Sequence, residues 1–219
     1  MAWSLIVPVK RLALAKSRLI GPRDGIHSPA LALALVRDTI AAAVSTAGVT
    51  RVVVVTEDEE VRAAVTGLGA VVRSDVPQGG LNAAISAGAS YAVGIAGRHP
   101  VAALPSDLPA LTPDVLAEAL AAAAGHPSAF VPDTDGTGTT LLTATSGDLH
   151  PRYGPDSASE HALDGAIRLV GNWPGLRRDV DTIDDLLTAS SLGVGRATEA
   201  VLAIGPNLRH RAAHTTPCA

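Results

Sequence analysis

A chain of 219 residues, 47% of them hydrophobic and 17% charged, has apolar material for one sizeable core and is short for two domains. Its formal net charge of -4 and its aromatic content of 2% argue against a nucleic-acid partner, which would need a basic footprint or a row of stacking rings. The sole cysteine, Cys218, excludes a disulfide framework or a cysteine metal site within the chain, and no run of about twenty apolar residues reads as a membrane span or leader, so an unexported cytoplasmic protein is expected.

Residues 3–9 read as a buried strand that opens onto a basic loop, Lys10-Arg11 through Lys16-Ser17-Arg18. Lys10, Lys16 and Arg18 on a short connection can neutralise charge on a transferred phosphoryl group; a solvated surface loop is the plain alternative. A helix follows over about 29–47, with Ser28 as N-cap, Pro29 at the favoured first position and Gly48 as its stop. Strand 51–56, helix 58–68, strand 70–73 and helix 81–96 continue the alternation, which implies a mostly parallel central sheet flanked by helices in a single α/β domain. Gln78-Gly79-Gly80-Leu81-Asn82 places glycines just before a helix, where backbone amides can approach a ligand and Asn82 offers both donor and acceptor.

The run 101–109, Val-Ala-Ala-Leu-Pro-Ser-Asp-Leu-Pro, ends a buried strand near Leu104 and delivers one carboxylate, Asp107, to the strand's carboxyl end. Ligands bind beyond that end in open α/β sheets, so Asp107 is a candidate metal or substrate ligand, with a turn or cap role as the alternative. Helix 113–124, strand 129–132 and strand 140–144 follow. The turn between the last two, Asp135-Gly136-Thr137-Gly138-Thr139-Thr140, together with Tyr153-Gly154-Pro155-Asp156-Ser157, offers hydroxyls and amides suited to a small anion. Ser157 to Glu160 reads as a capping box for a helix over 157–170.

Asp179-Val180-Asp181-Thr182 then reads as a short strand entering a helix that Thr182 caps. Asp184 and Asp185 suit the positive end of that helix. Alternation instead points Asp179 and Asp181 to one face, where they repel unless a cation lies between them. With Asp107 they form an oxygen set of the kind Mg²⁺ prefers, substrate phosphates completing its shell. The domain is placed at 1–193 and a partly disordered tail at 194–219, because periodicity is lost there; His210 and His214 fall in that tail, and none of the seven histidines is given a role.

Two motifs fail on inspection. Gly136 to Thr140 lacks the Gly-Lys-Ser/Thr ending of a phosphate loop, and Gly193-Val194-Gly195 has Thr198 where a dinucleotide fingerprint needs a third glycine. The ordered set Ile6-Val7-Pro8-Val9-Lys10, Ala15-Lys16-Ser17-Arg18-Leu19, Gly80-Leu81-Asn82-Ala83-Ala84, Leu104-Pro105-Ser106-Asp107-Leu108-Pro109, Gly136-Thr137-Gly138-Thr139-Thr140 and Gly154-Pro155-Asp156-Ser157 nevertheless resembles the phosphoenolpyruvate/2-phospho-L-lactate guanylyltransferases of coenzyme F-420 biosynthesis.

The resemblance runs to about Leu187 and implies a GT-A-like nucleotidyltransferase fold that transfers GMP from GTP to a three-carbon phosphoacid. It also implies Mg²⁺ at Asp107, Asp179 and Asp181, and the phosphoacid at Thr139, Gly154 and Ser157. Lys10, Lys16 and Arg18 are assigned to the triphosphate, and Gly80 and Asn82 to the nucleotide. A lineage argument from composition favours phosphoenolpyruvate over 2-phospho-L-lactate. Sugar-phosphate and molybdenum-cofactor nucleotidyltransferases remain alternatives, as does a non-catalytic nucleotide-binding domain, and a homodimer is left open.

Overall fold

The computed structural model describes residues 1–12, 28–74 and 79–204. In chain order the elements are β1 (Trp3–Pro8), α1 (Ser28–Ser45), β2 (Val49–Val55), α2 (Glu59–Thr66), β3 (Val71–Arg73), α3 (Gly80–Ala96), β4 (Val101–Ala103) and α4 (Pro113–Ala123). There follow β5 (Ser128–Pro132), β6 (Thr139–Ala144), α5 (Ser157–Leu163), β7 (Ile167–Arg168), α6 (Pro174–Arg177), α7 (Ile183–Leu192) and α8 (Arg196–Ile204).

The strands form one sheet of order β3-β2-β1-β4-β6-β5-β7, in which β6 alone runs against its neighbours. Its period-two alternation feeds two cores. Leu5, Val7, Val52, Val54, Ala102 and Val131 face α1, α2 and α4, whereas Ile6, Val53, Val55, Ala103, Leu142 and Phe130 face α3 and α5. The register lines up Val53, Ile6, Ala103, Leu142 and Phe130 as one row across five strands on the face that packs against α3 and α5.

Asp58 caps α2, and Thr112 with Pro113 starts α4, both by the usual N-terminal chemistry. The helix expected over 157–170 stops at Leu163: Gly165 takes φ 89, and Ile167 and Arg168 pair with Ala129 and Phe130 as β7. Its expected capping box is also absent. Asp156, at φ 56, is the N-cap residue and makes no side-chain cap bond.

Part of the segment placed in a tail is helical. Asp38 on α1 accepts Ala197 N–H at 2.9 Å and Thr198 N–H at 2.7 Å, anchoring the start of α8. Val194, Val201 and Leu202 then pack on a third cluster made of Leu31, Leu35, Ala110, Val180, Leu186 and Ala189. Cys218, His210 and His214 lie outside the described residues.

Helix α3 packs tightly against the sheet at Gly88, where a Cβ would lie 2.6 Å from Ile6 Cγ2 and 2.9 Å from Val55 Cγ2. Both neighbours are stiff β-branched side chains in buried strands and cannot swing away. Gly88→Ala is therefore expected to destabilise by about 1–3 kcal/mol despite the better helix propensity of alanine. Urea unfolding checks this: the midpoint should fall while the slope stays constant.

Candidate active site at the carboxyl edge of the sheet

Because β1, β2, β4 and β5 are co-oriented, their carboxyl ends reach one edge, and the reversed β6 begins there with Thr139 paired to Pro132. Val9 N–H donates to Val55 carbonyl oxygen at 2.9 Å, extending β1 to the rim and setting Lys10 in solvent. Leu12 N–H next donates to Asp58 Oδ2 at 2.9 Å. Burial pushes the Asp58 carboxyl up, but hydrogen bonds from Leu12, Val61 and Glu60 and the nearby Arg11 charge outweigh it and hold the group below the ordinary aspartate range. The same carboxylate thus caps α2 and ties down the entrance of the basic loop. Lys16 and Arg18 lie outside the described residues.

Asp107 follows β4 on a turn held from beneath, where Leu108 N–H donates to Thr39 Oγ1 at 3.0 Å. Its own carbonyl accepts Val180 N–H at 3.1 Å, so one backbone bond joins the two acidic segments. Residues 178–182 form no strand, contrary to the reading from alternation. The fully buried Val180 sits in the third cluster, flanked by a half-buried Asp179 and an exposed Asp181, and the chain turns straight into α7.

Asp185 closes that turn by accepting Thr182 N–H at 2.9 Å, Thr182 Oγ1 at 2.7 Å and Arg178 Nη1 at 3.1 Å. The Thr182/Asp185 capping box is complete. Burial pushes the Asp185 carboxyl up, but the Thr182 and Asp181 hydrogen bonds and Arg178 bring it below its usual value. Among the described residues no three His, Cys, Asp or Glu groups converge as a ready-made metal cage. Mg²⁺ does not require one. It commonly takes one or two carboxylates plus phosphate oxygens, and the Val180–Asp107 bond brings the segments that carry Asp107, Asp179 and Asp181 side by side.

The β5–β6 turn forms the other side. Asp133 accepts Thr137 N–H at 3.0 Å and Gly138 N–H at 2.8 Å, Arg177 Nη2 donates to the Asp133 carbonyl at 2.9 Å, and Ala158 N–H of α5 donates to the Thr137 carbonyl at 2.9 Å. That last bond sets Ser157 beside the turn carrying Thr139. Gly154, at φ 148, is exposed, in a backbone conformation that favours glycine. Ser157 N–H makes a 3.3 Å turn bond to the Gly154 carbonyl, while among the described residues no hydrogen bond engages the Ser157 hydroxyl.

Gly80, at φ 70, opens α3 with open space where a Cβ would stand. Asn82, in the first turn, spends part of its amide within the protein. Its Nδ2 donates to the Tyr153 carbonyl at 3.0 Å and its Oδ1 accepts Tyr153 N–H at 2.8 Å, which leaves one side-chain N–H for a ligand. The clamp joins the helix start at Gly80 to the turn at Gly154.

Sequence reasoning missed His161. Its ring is only 1% exposed; Nδ1 lies 2.9 Å from Thr139 Oγ1, and Nε2 accepts Arg152 N–H at 2.9 Å. Tyr153 packs on it edge-to-face at 5.2 Å. One sequence signal existed: His161 is four residues after Ser157 and shares its helix face. Burial pulls the imidazole down to about 4; Asp164 and the Ser157 carbonyl oppose that shift and Arg152 adds to it.

Residues 34–170 match the MobA-like NTP transferase domain. The chain is 53% identical over 206 residues to the phosphoenolpyruvate guanylyltransferase of Geodermatophilus obscurus, covering 92% of this chain and 94% of that one. It is 49% identical over 205 residues to that of Streptomyces coelicolor, covering 93% and 97%. The chain belongs to this family of MobA-like nucleotidyltransferases. Solved structures share its fold at low identity. A protein described as a nucleotide-diphospho-sugar transferase from Desulfovibrio desulfuricans aligns with a TM-score of 0.68 at 19% identity over 93% of this chain and 95% of that one. The 4-diphosphocytidyl-2C-methyl-D-erythritol synthase of Anaerococcus prevotii aligns with a TM-score of 0.57 at 10% identity over 87% and 95%. The fold is the GT-A-like one of the nucleotidyltransferases, and the chain is an enzyme of that class.

His161 also makes stability depend on pH. With a folded pKa of about 4 against 6.5 unfolded, the unfolded chain binds more protons between these values, so the neutral ring's contribution is complete above about 6.5 and is lost as pH falls towards 4. The slope is about 1.4 kcal/mol per pH unit at most. Urea unfolding at pH 7 and pH 5 should show a smaller difference for His161→Asn than for the unaltered protein.

Proposed function

We propose that this enzyme transfers GMP from GTP to phosphoenolpyruvate, releasing pyrophosphate and giving enolpyruvyl-diphospho-guanosine for coenzyme F-420 biosynthesis. Relatives named phosphoenolpyruvate guanylyltransferase that match over nearly the whole chain support the acceptor and nucleotide. The Val180–Asp107 backbone bond is the observation that carries the site, because it draws the two acidic segments to the edge where the basic strand end and the Thr139 turn also arrive.

In this reaction a phosphate oxygen of the acceptor forms a bond to the α-phosphorus of GTP while the bond from that phosphorus to the bridging oxygen breaks, and pyrophosphate leaves with the electron pair. The attacking oxygen is already anionic near neutral pH, so no general base is needed and catalysis reduces to positioning and charge neutralisation. Lys10, Lys16 and Arg18 meet the triphosphate and the charge that grows on the departing pyrophosphate. The amides at Gly80 and the remaining N–H of Asn82 address the nucleotide. Thr139, Ser157 and the backbone at Gly154 hold the three-carbon acid. Asp107, Asp179 and Asp181 are the residues that would hold Mg²⁺, which when bound neutralises phosphate charge and orients the triphosphate.

Asp107→Asn is expected to reduce pyrophosphate release at least about a hundredfold while circular dichroism stays unchanged, since metal contacts supply several kcal/mol in the transition state. Near-normal turnover at limiting Mg²⁺ would reduce Asp107 to a turn residue.

Thr139→Val should raise KM for phosphoenolpyruvate about tenfold, because a buried hydroxyl bond to a charged ligand is worth about 1–3 kcal/mol. GTP affinity, read by calorimetry without acceptor, should stay constant; equal losses for both substrates would move this turn into the nucleotide pocket.

A further inference from the structure

We propose that His161 is a positioning residue for the acceptor: its Nδ1–H donates to Thr139 Oγ1 and leaves the Thr139 hydroxyl hydrogen to be given to the anionic group of the phosphoacid. The inference rests on the proposed placement of that acid at Thr139.

The hydrogen-bond inventory fixes the direction. Arg152 N–H points at Nε2 from 2.9 Å, so Nε2 is an acceptor and a neutral ring must carry its proton on Nδ1. Nδ1 faces Thr139 Oγ1 at 2.9 Å, and a hydroxyl oxygen that accepts this proton retains one hydrogen to donate. Thr139 and Ser157 are 7% and 2% exposed, so neither hydroxyl is freely solvated, and Ala158 N–H to the Thr137 carbonyl holds the two segments together. His161 itself stays away from the reacting atoms. Its ring is shut in by Tyr153 and Phe130, and both nitrogens are engaged.

The charged groups near it are Arg152 and Asp164, paired with each other at 3.5 Å, and the Ser157 carbonyl also faces the ring. An imidazole in this setting acts as a template. It turns a rotatable hydroxyl into a donor of defined direction, which suits a carboxylate or phosphate and penalises a neutral ligand group that must itself donate.

Two measurements test this. Long-range proton–nitrogen correlation on the unaltered protein at pH 7 should show His161 protonated at Nδ1 and bare at Nε2; the opposite tautomer overturns the proposal, and this readout needs no variant and no substrate. The second is a double-mutant cycle in KM for phosphoenolpyruvate. His161→Phe and Thr139→Val should each raise it about tenfold, and the double variant by no more than either alone, with kcat and GTP affinity changed little.

A product of the two single effects, about a hundredfold, overturns the proposal because the residues would then act independently. His161→Asn, whose side-chain N–H stands near the place of Nδ1–H, should recover most of the acceptor affinity; recovery no better than with Phe counts against it. An unaltered protein that turns over neither phosphoenolpyruvate nor 2-phospho-L-lactate sinks the proposed function, and the ligand assigned here with it. Normal turnover with an additive cycle sinks this inference alone.

Discussion

The central strands are buried on both faces, and everything at the rim depends on that constraint. Leu5 and Val7 enter one core and Ile6 the other, so a one-residue slip of β1 against β2 or β4 would exchange the two sets of side chains. With register fixed, the end of each strand is fixed too. Lys10 and Asp107 reach the same edge because the strands before them share a direction and are locked by bonds such as Leu104 N–H to the Ile6 carbonyl at 3.0 Å. A doubly wound sheet thereby gathers residues nearly a hundred positions apart without requiring any contact between their side chains.

The reversed strand β6 adds what a wholly parallel sheet could not. Its amino end lies at the rim, so the turn that carries Thr139 is a short hairpin connection braced by Asp133, Arg177 and Ala158. The Asn82 clamp fastens α3 to Tyr153, and the His161 contact fastens α5 to Thr139. The acidic side is braced differently, through a hydrophobic anchor: Val180 is seated among Leu31, Leu35, Ala110, Leu186 and Ala189, with α8 packed behind. Helix α8 therefore belongs to the support of the acidic segment even though it contributes no candidate ligand.

Much of this was legible in the sequence because it rests on local rules. Strand and helix alternation gave the mostly parallel sheet, and the Pro-Ser-Asp-Leu-Pro turn marked Asp107 as a residue at a strand's end. What was not legible depends on partners distant in the chain. Nothing near Asn82 announces that Tyr153, 71 positions away, takes both ends of its amide. His161 looks like a surface residue in Ser-Ala-Ser-Glu-His until Arg152 and Thr139 are placed around it. The capping box at Ser157 failed because Asp156 takes a left-handed conformation, and the helix it was to start was cut short by pairing of Ile167 and Arg168 with β5. Asp179 and Asp181 alternate around a buried valine as a strand would, yet Val180 bonds to the Asp107 carbonyl without forming a strand.

The acids at the rim divide by what engages their oxygens, and the division predicts how the site responds to acid. Asp58, Asp133 and Asp185 commit oxygens to backbone N–H groups at helix starts or in the hairpin turn. In Asp58 and Asp185 those bonds, helped by Arg11 and Arg178, overcome the effect of burial and keep the carboxyl ionised below the usual range. The braces of the basic loop and of the acidic segment thus survive into acid that protonates ordinary aspartates. His161 behaves in the opposite sense. Its neutral form is the one that fits between Thr139 and Arg152, and the free-energy difference that maintains it begins to shrink as soon as pH falls below the ordinary imidazole range. Acidification therefore weakens the His161–Thr139 side of the rim first, while the framework holding the acidic segment and the basic strand end is still intact.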